Sequence, residues 1–314
     1  MRAVAVSRFG EPPKVIEAMT PVAGPGQLLI KLATAAMNPM DFRLASGEWR
    51  PAPAVFPMVL GVDGAGVVEA TGEGTRRFAV GDRVFGQLFL PPIGAFGTYA
   101  EYVAVSAEAP LADVPDGLDL VRAATVPTAG GTGMSLVDLV EPLDGQVVLV
   151  IGAGGGVGSF ATQFAINAGG LVIVNINAPA ERRMRSYGVN RTIVRSVDSV
   201  TDVVRRSCPA GVDVLIDLAS DAKQFAAMAG LVRPGGTAIT TRYVADLAGL
   251  QSKGIRGVNF ALRMTTDLLE RVAHALAEGS VVEPPITRIS LDDVPSICGA
   301  SNRSKADGKV VIVF

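Results

Sequence analysis

The chain has 314 residues, 49% hydrophobic and 18% charged, with a formal net charge of −2. This composition excludes a disordered chain and offers no basic surface for nucleic acid or an anionic membrane. Two cysteines, Cys208 and Cys298, can build neither a disulfide framework nor a four-cysteine zinc site.

Met1 to Val6 runs directly into a strand pattern without a signal-peptide apolar core, so a cytoplasmic protein of about two domains is expected. Apolar or alternating runs follow at Ala3–Val6, Gln27–Ala33, Gly64–Thr71, Asp82–Phe85 and Ala100–Val103, separated by Pro-Gly, Gly-Glu-Gly and Gly-Asp turns. They predict a β-rich, barrel-like domain. Beyond about Asp119 the pattern becomes helical and then alternates strand with helix. Strands are predicted at Val147–Ile151, Leu171–Asn175, Thr192–Val194, Val212–Asp217, Gly236–Thr240 and Gly257–Phe260. Helices are predicted between them at Ala180–Tyr187, Val197–Arg206 and Asp221–Leu231. Strands joined by helical crossovers match a doubly wound sheet. A helix at Met264–Glu278 and a β-rich tail ending Lys309 to Phe314 complete the chain. The expected layout is a catalytic domain at 1–122, a nucleotide-binding domain at 123–262, and a return to the first domain at 263–314.

The sharpest local pattern follows Val147–Ile151, where five glycines fall between Gly152 and Gly158. Val157, Phe160, Ala161, Phe164, Ala165 and Ala168 then recur at helical spacing. Strand, tight turn and helix N-terminus in succession place unpaired N–H groups where a phosphate binds. Gly156, Gly158 and Ala161 fit G-x-G-x-x-G/A, and Gly154, Gly155, Gly156 and Val157 are the expected cofactor contacts. No charged residue occurs from Gly145 to Ala180, but the glycines, Gln163 and Asn167 interrupt any membrane-length apolar helix. A sheet covered on both faces explains the low charge better.

Several separated motifs resemble those of one family. Asn38-Pro39-Met40-Asp41 is similar to its N-P-x-D segment, and Gly61 to Gly72 to its G-x-D/E-x-x-G-x-V-x-x-x-G signature. Val80 to Val84 reads V-G-D-R-V, Ala153 to Gly158 matches A-x-x-G-V-G, and Gly308 to Val311 resembles the family's closing segment. Together these resemble the medium-chain dehydrogenase/reductases, in their zinc-independent quinone oxidoreductase-like branch. The resemblance implies a Rossmann-type doubly wound parallel sheet inserted into a GroES-like β-barrel catalytic domain. Zinc-dependent relatives carry cysteine where Asn38 stands and His-Glu where Val62-Asp63 stands, so no metal is expected. The single histidine, His274, reads as a surface imidazole.

Members that bind NAD usually place an acidic residue at the end of the second strand. Asn175 stands there in this chain, with Asn177 next, and Arg182, Arg183, Arg185 and Arg195 follow. Guanidinium groups suit bidentate phosphate binding, so NADPH is expected in preference to NADH. Arg182 is the expected 2′-phosphate contact; the alternative for these arginines is a solvated helix face. The resemblance also places Asn38, Thr128 and Thr132 beside the cofactor. Ala219, Thr240 and Phe260 stand at later strand ends, where ligands bind in open sheets.

Related enoyl thioester reductases use a tyrosine after N-P-x-D, and Trp49 occupies the matching position. Without zinc or that tyrosine, the localised alkoxide of a saturated ketone is poorly served. A quinone or α,β-unsaturated carbonyl spreads the charge, so the expected activity is NADPH-dependent quinone or enone reduction. Asn38 is expected to donate to the acceptor carbonyl and Asp41 to orient its loop, unless the two only cap a turn. Phe42 and Trp49 either line a pocket for a flat ring or pack as ordinary core, with Arg263 at the mouth. The loop Phe89–Gly97 is expected to shape that pocket. A biosynthetic enoyl or ketone reductase with a larger substrate, and an NADPH-binding sensor with little catalysis, are the alternatives. Edge pairing of Gly257–Phe260 predicts a homodimer.

Overall fold

The computed structural model describes residues 1–50, 53–88, 92–299 and 308–314. Residues 89–91 of the expected pocket loop lie outside the described residues. The chain forms two compact units. One comprises Met1–Ala129, Met264–Gly279 and Pro285–Phe314; the other comprises Gly130–Arg263 and Ser280–Pro284.

The opening part of the first unit contains β1 (Arg2–Val6), β2 (Lys14–Glu17), β3 (Gln27–Ala36), α1 (Pro39–Ser46), β4 (Met58–Val59) and β5 (Asp63–Thr71). It continues through β6 (Arg83–Gln87), β7 (Tyr102–Ser106), β8 (Leu111–Asp113) and α2 (Leu120–Ala123). A sheet of order β2-β1-β4 accompanies a larger one built around β3 and β5. Register shifts at Leu29/Ile30 and Leu32/Thr34 let β3 pair with β5 along most of its length, and with β7 near its start. Such bulges bend a strand and increase its twist. The core gathers Val4, Val6, Ala35, Leu44, Met58, Leu60 and Tyr99 on one side and Leu28, Ile30, Val84, Val103 and Leu111 on another.

The Asn38-Pro39 segment begins a helix rather than a simple turn. Pro39 stands in the first turn, where a missing N–H costs no helical bond, and the Asp41 carboxylate accepts from the Asn38 N–H at 2.7 Å. Gly47 ends α1 in the left-handed region at φ 75°.

The second unit contains α3 (Gly131–Asp138), β9 (Val147–Ile151), α4 (Gly156–Asn167), β10 (Leu171–Ile176), α5 (Glu181–Ser186), β11 (Arg191–Val194) and α6 (Val200–Ser207). β12 (Val212–Asp217), α7 (Ala222–Ala229), β13 (Val232–Thr240), α8 (Leu247–Gln251) and β14 (Arg256–Asn259) complete it. The strand order is β11-β10-β9-β12-β13-β14, with every neighbouring pair parallel. This is the doubly wound order, and the chain reverses direction across the sheet beside β9. β13 begins at Val232, four residues before the expected Gly236, because Val232 pairs with Val212 ahead of a register shift.

The chain then supplies α9 (Thr266–Ala277), β15 (Ile286–Ile289), α10 (Val294–Gly299) and β16 (Lys309–Val313) to the first unit. β16 pairs antiparallel with β3. Ser280–Pro284 belongs instead to the second unit, because Gln163 on α4 donates to the Val282 carbonyl at 2.8 Å and accepts from its N–H at 2.8 Å. The unit breaks at Ala129–Gly130 and Arg263–Met264 also differ from the 122–123 and 262–263 divisions expected from sequence. No helix among the described residues is long and apolar enough to cross a membrane.

Candidate active site

In the second unit, β9 ends at Ile151 and Gly152 turns the chain at φ 82°. A Cβ on Gly158 would lie 2.4 Å from the Gly152 carbonyl oxygen and 2.5 Å from the Ala153 Cα, so only glycine permits this close helix–strand approach. A Cβ on Gly155 would meet only the Gly152 carbonyl, at 3.6 Å. Gly155 caps α4 without a side-chain hydrogen bond, which leaves the first-turn N–H groups available to an anion. Gly154, Gly155, Gly156 and Val157 therefore fit a dinucleotide pyrophosphate. The turn sits at the carboxyl end of β9, at the topological switch point.

The neighbouring side chains only partly follow the expected assignment. Asn175 is 3% exposed and its amide is turned to the Ile193 carbonyl, 3.4 Å away on β11, so it is not presented to a ribose. Its backbone carbonyl accepts instead from the Gly152 and Ala153 N–H groups. Asn177 is the exposed residue beyond β10. Arg183, rather than Arg182, lies on the glycine turn: it donates to the Gly154 carbonyl at 3.0 Å and to the Ser159 hydroxyl. Arg182 is exposed and lines a surface cavity of about 670 Å³ with Ala178, Pro179, Glu181 and Arg185. Glu181, the carboxylate of that cavity, is paired with Arg185 at 2.7 Å. Arg195, exposed, follows β11.

Ala219 follows β12, and Thr240 ends β13, where its hydroxyl accepts from the Arg242 N–H at 3.0 Å. Phe260 follows β14 and donates from its N–H to the Thr240 carbonyl at 2.8 Å. These positions share the carboxyl edge of the sheet with the glycine turn. Thr132 is buried in α3, and Arg263 is exposed at the end of the unit's main segment.

The first unit holds a second polar assembly, mostly buried. Sheet register brings Ala36 of β3 opposite Asp63 of β5, and Asp63 opposite Gln87 of β6. β16 lies along the other side of β3, so Lys309 reaches the residues just after Ala36. Lys309 Nζ donates to the Met37 carbonyl at 2.9 Å and to Asn38 Oδ1 at 2.7 Å. Asn38 Nδ2 donates to Asp63 Oδ2 at 2.9 Å and reaches the Ala36 carbonyl at 3.3 Å. Thr128 lies in a single π-helical turn, Val126–Gly130, and grips the same carboxylate twice. Its N–H donates to Asp63 Oδ2 at 3.0 Å, and its hydroxyl donates to Asp63 Oδ1 at 2.7 Å. Gln87 Nε2 then donates to the Thr128 oxygen at 2.9 Å. Tyr99 closes the other side, donating to Asp41 Oδ2 at 2.7 Å.

This geometry changes the role expected of Asn38. Both its amide hydrogens point to Asp63 and Ala36, so Asn38 holds a carboxylate in place instead of presenting a donor to an acceptor carbonyl. Asp41 contacts the Asn38 N–H and Tyr99 from a fully buried position. Burial pushes its carboxyl from the ordinary 3.8 up to about 7, against the pull of the Tyr99 and Asn38 hydrogen bonds. Burial also raises Asp63, opposed by the Lys309 ammonium and by its donors, and lowers Lys309, opposed by the two carboxylates. Among the described residues, three donors and no acceptor contact Asp63, so its pocket is shaped for the carboxylate.

Lys309, Asp63, Gln87 and Tyr99 were not foreseen as site residues. A lone lysine opening the apolar run Val310–Val313, and a lone acid in the glycine-rich Gly61–Gly66, were the available signals. Phe42 packs on the unit's apolar core, while Trp49 is 37% exposed. No group of three or more histidine, cysteine, aspartate or glutamate residues is placed to hold a metal among the described residues.

The family model for the alcohol dehydrogenase GroES-like domain matches residues 24–116, and that for zinc-binding dehydrogenase matches 187–312. The chain is 28% identical over 293 residues to the 2-methylene-furan-3-one reductase of Solanum lycopersicum, covering 91% of this chain and 71% of that protein. It is 37% identical over 179 residues to a quinone oxidoreductase of Pseudomonas aeruginosa, covering 56% of this chain and 53% of that protein. The solved quinone oxidoreductase of Coxiella burnetii shares its fold with a TM-score of 0.87 at 23% identity, over 100% of this chain and 99% of that one. The chain belongs to the medium-chain dehydrogenase/reductase superfamily of nicotinamide-dependent oxidoreductases, in its quinone oxidoreductase-like branch.

Proposed function

We propose that the protein is an NADPH-dependent, metal-independent reductase of conjugated acceptors, quinones or α,β-unsaturated carbonyls. The observation that carries the cofactor preference is the cationic edge beside the glycine turn. Arg182 is exposed at the rim beside the turn that Arg183 braces, and the Glu181 carboxylate of that rim is paired with Arg185. A 2′-phosphate meets attraction there, and among the described residues no unpaired acid occupies the position that would hold ribose hydroxyls. When bound, the reduced nicotinamide supplies a hydride. The protein's own groups orient the loop, hold the buried carboxylates and leave an acceptor that spreads its own negative charge as the suitable partner. The named activities of the tomato and Pseudomonas relatives support this reading.

The test compares NADPH and NADH oxidation with a panel of quinones, enones and saturated ketones. NADPH-preferring turnover of the conjugated compounds is expected, and turnover confined to saturated ketones refutes the proposal. One observation favours a second reading, cofactor binding with little catalysis: both Asn38 amide hydrogens are engaged inside the protein. NADPH affinity without turnover across the panel would establish that reading. Edge pairing of β14 makes a homodimer the proposed assembly, checked by sedimentation at micromolar concentration.

A further inference from the structure

The buried polar assembly has a direction, and its two ends differ in exposure. Lys309, Asn38 and Asp63 are buried, whereas Thr128 and Gln87 are only half-buried. The Lys309 ammonium can only donate to Asn38 Oδ1, so the Asn38 amide must turn its N–H groups toward Asp63. A reversed amide would set N–H against ammonium and oxygen against carboxylate. With Asp63 charged, the Thr128 hydroxyl donates inward to it and exposes its lone pairs to Gln87. The Gln87 amide is thereby fixed with Nε2 toward Thr128. Its remaining N–H makes no further hydrogen bond among the described residues.

We propose that Lys309 is a positioning residue which, through Asn38, Asp63 and Thr128, aims the Gln87 amide N–H at a carbonyl oxygen of the acceptor. The inference rests on the reductase reading for the identity of that ligand. It supplies the polar contact that Asn38 does not provide, from a residue on the same sheet rung as Asp63. The charged and titratable groups around Asp63 are Lys309 on β16, Asp41 on α1 and Tyr99, with Cys298 facing Tyr99 from α10.

The experiment measures the Asp63 titration by carboxyl-carbon NMR, and acceptor KM and kcat against pH, in the native protein, K309M, K309R and Q87L. Removing the ammonium is expected to move the Asp63 titration upward by about one pH unit or more. The acid limb of the rate profile follows it, and acceptor KM rises about 10-fold, the worth of one hydrogen bond. K309R restores the limb toward its native position. Q87L raises acceptor KM to a similar degree and leaves the Asp63 titration where it was. Should K309M fail to fold, K309M/D63N removes the unpaired buried carboxylate, and its rate profile is expected to lack the acid limb. An unchanged Asp63 titration in folded K309M, or an unchanged acceptor KM in Q87L, overturns the proposal. A shifted Asp63 titration with no native turnover refutes the reductase reading and leaves the positioning by Lys309 standing.

Discussion

Asp41→Asn isolates one buried, pH-sensitive group of the first unit. The Asp41 carboxyl is raised from 3.8 to about 7, chiefly by burial. Between those values the folded protein retains a proton that the unfolded chain releases, so stability falls as pH rises. The slope is about 1.4 kcal/mol per pH unit, giving a cumulative loss of about 4 kcal/mol by the time pH passes the folded value. Stability from this group is thus fully present below about pH 4 and gone above about pH 7. In D41N the side-chain oxygen still accepts from the Asn38 N–H and the Tyr99 hydroxyl. Its new NH2 must occupy the place of Oδ1, which is buried and without a hydrogen-bond partner among the described residues. That costs about 1–3 kcal/mol at every pH. D41N is therefore expected to be about as stable as the native protein at pH 5 and the stronger one by about 1–3 kcal/mol at pH 8. Urea denaturation at half-unit intervals between pH 5 and 8 measures both curves. Parallel curves for the two proteins would show that Asp41 is not the titrating group and refute the reasoning.

Gly158→Ala drives a Cβ into the Gly152 carbonyl and the Ala153 backbone, so a loss of ~1–3 kcal/mol is expected. Thermal melts with and without NADP+ should show the lower midpoint and a diminished ligand-induced rise. Gln163→Leu removes the bonds that clamp Val282 to α4, and ~1–3 kcal/mol of stability with them. Faster proteolysis near 280–284 would report the loosening, and an unchanged cleavage rate would argue against the clamp. Calorimetry on Arg183→Met is expected to show NAD+ and NADP+ binding weakened alike, by about 10-fold, because the turn itself is loosened. Arg182→Ala should weaken NADP+ alone; equal effects of the two variants would remove the distinction between turn and rim.

The strand–turn–helix of the nucleotide unit was legible because all its determinants are adjacent: β9, the glycines and the apolar stripe of α4 occupy one continuous stretch. The choice among Arg182, Arg183 and Arg185 required helix phase. Ala180 and Met184 are buried, which rotates Arg183 toward the turn and Arg182 and Arg185 toward water. That phase was present in the apolar spacing but is weak in a helix as short as Glu181–Ser186. The inward turn of the Asn175 side chain was not legible, because strand alternation alone does not say which polar residue at a strand end turns outward. The Lys309–Asn38–Asp63 assembly was least legible, since its members meet only through the register of β16, β3 and β5. Local chemistry cannot announce a partner 271 residues away.

That separation governs how the molecule can be born. During synthesis Asn38, Asp41 and Asp63 emerge early, and the Lys309 ammonium that offsets the burial of the Asp63 carboxylate emerges after the whole nucleotide unit. Until then, burial of that carboxylate has no compensating cation, so the first unit is held short of its final packing. The nucleotide unit faces no such wait beyond Ser280–Pro284 and can fold while the chain is still growing. A nascent chain halted before β16 should accordingly bind dinucleotide on an ordered second unit while its first unit stays open to protease, with the final strand acting as the closing pin of the barrel.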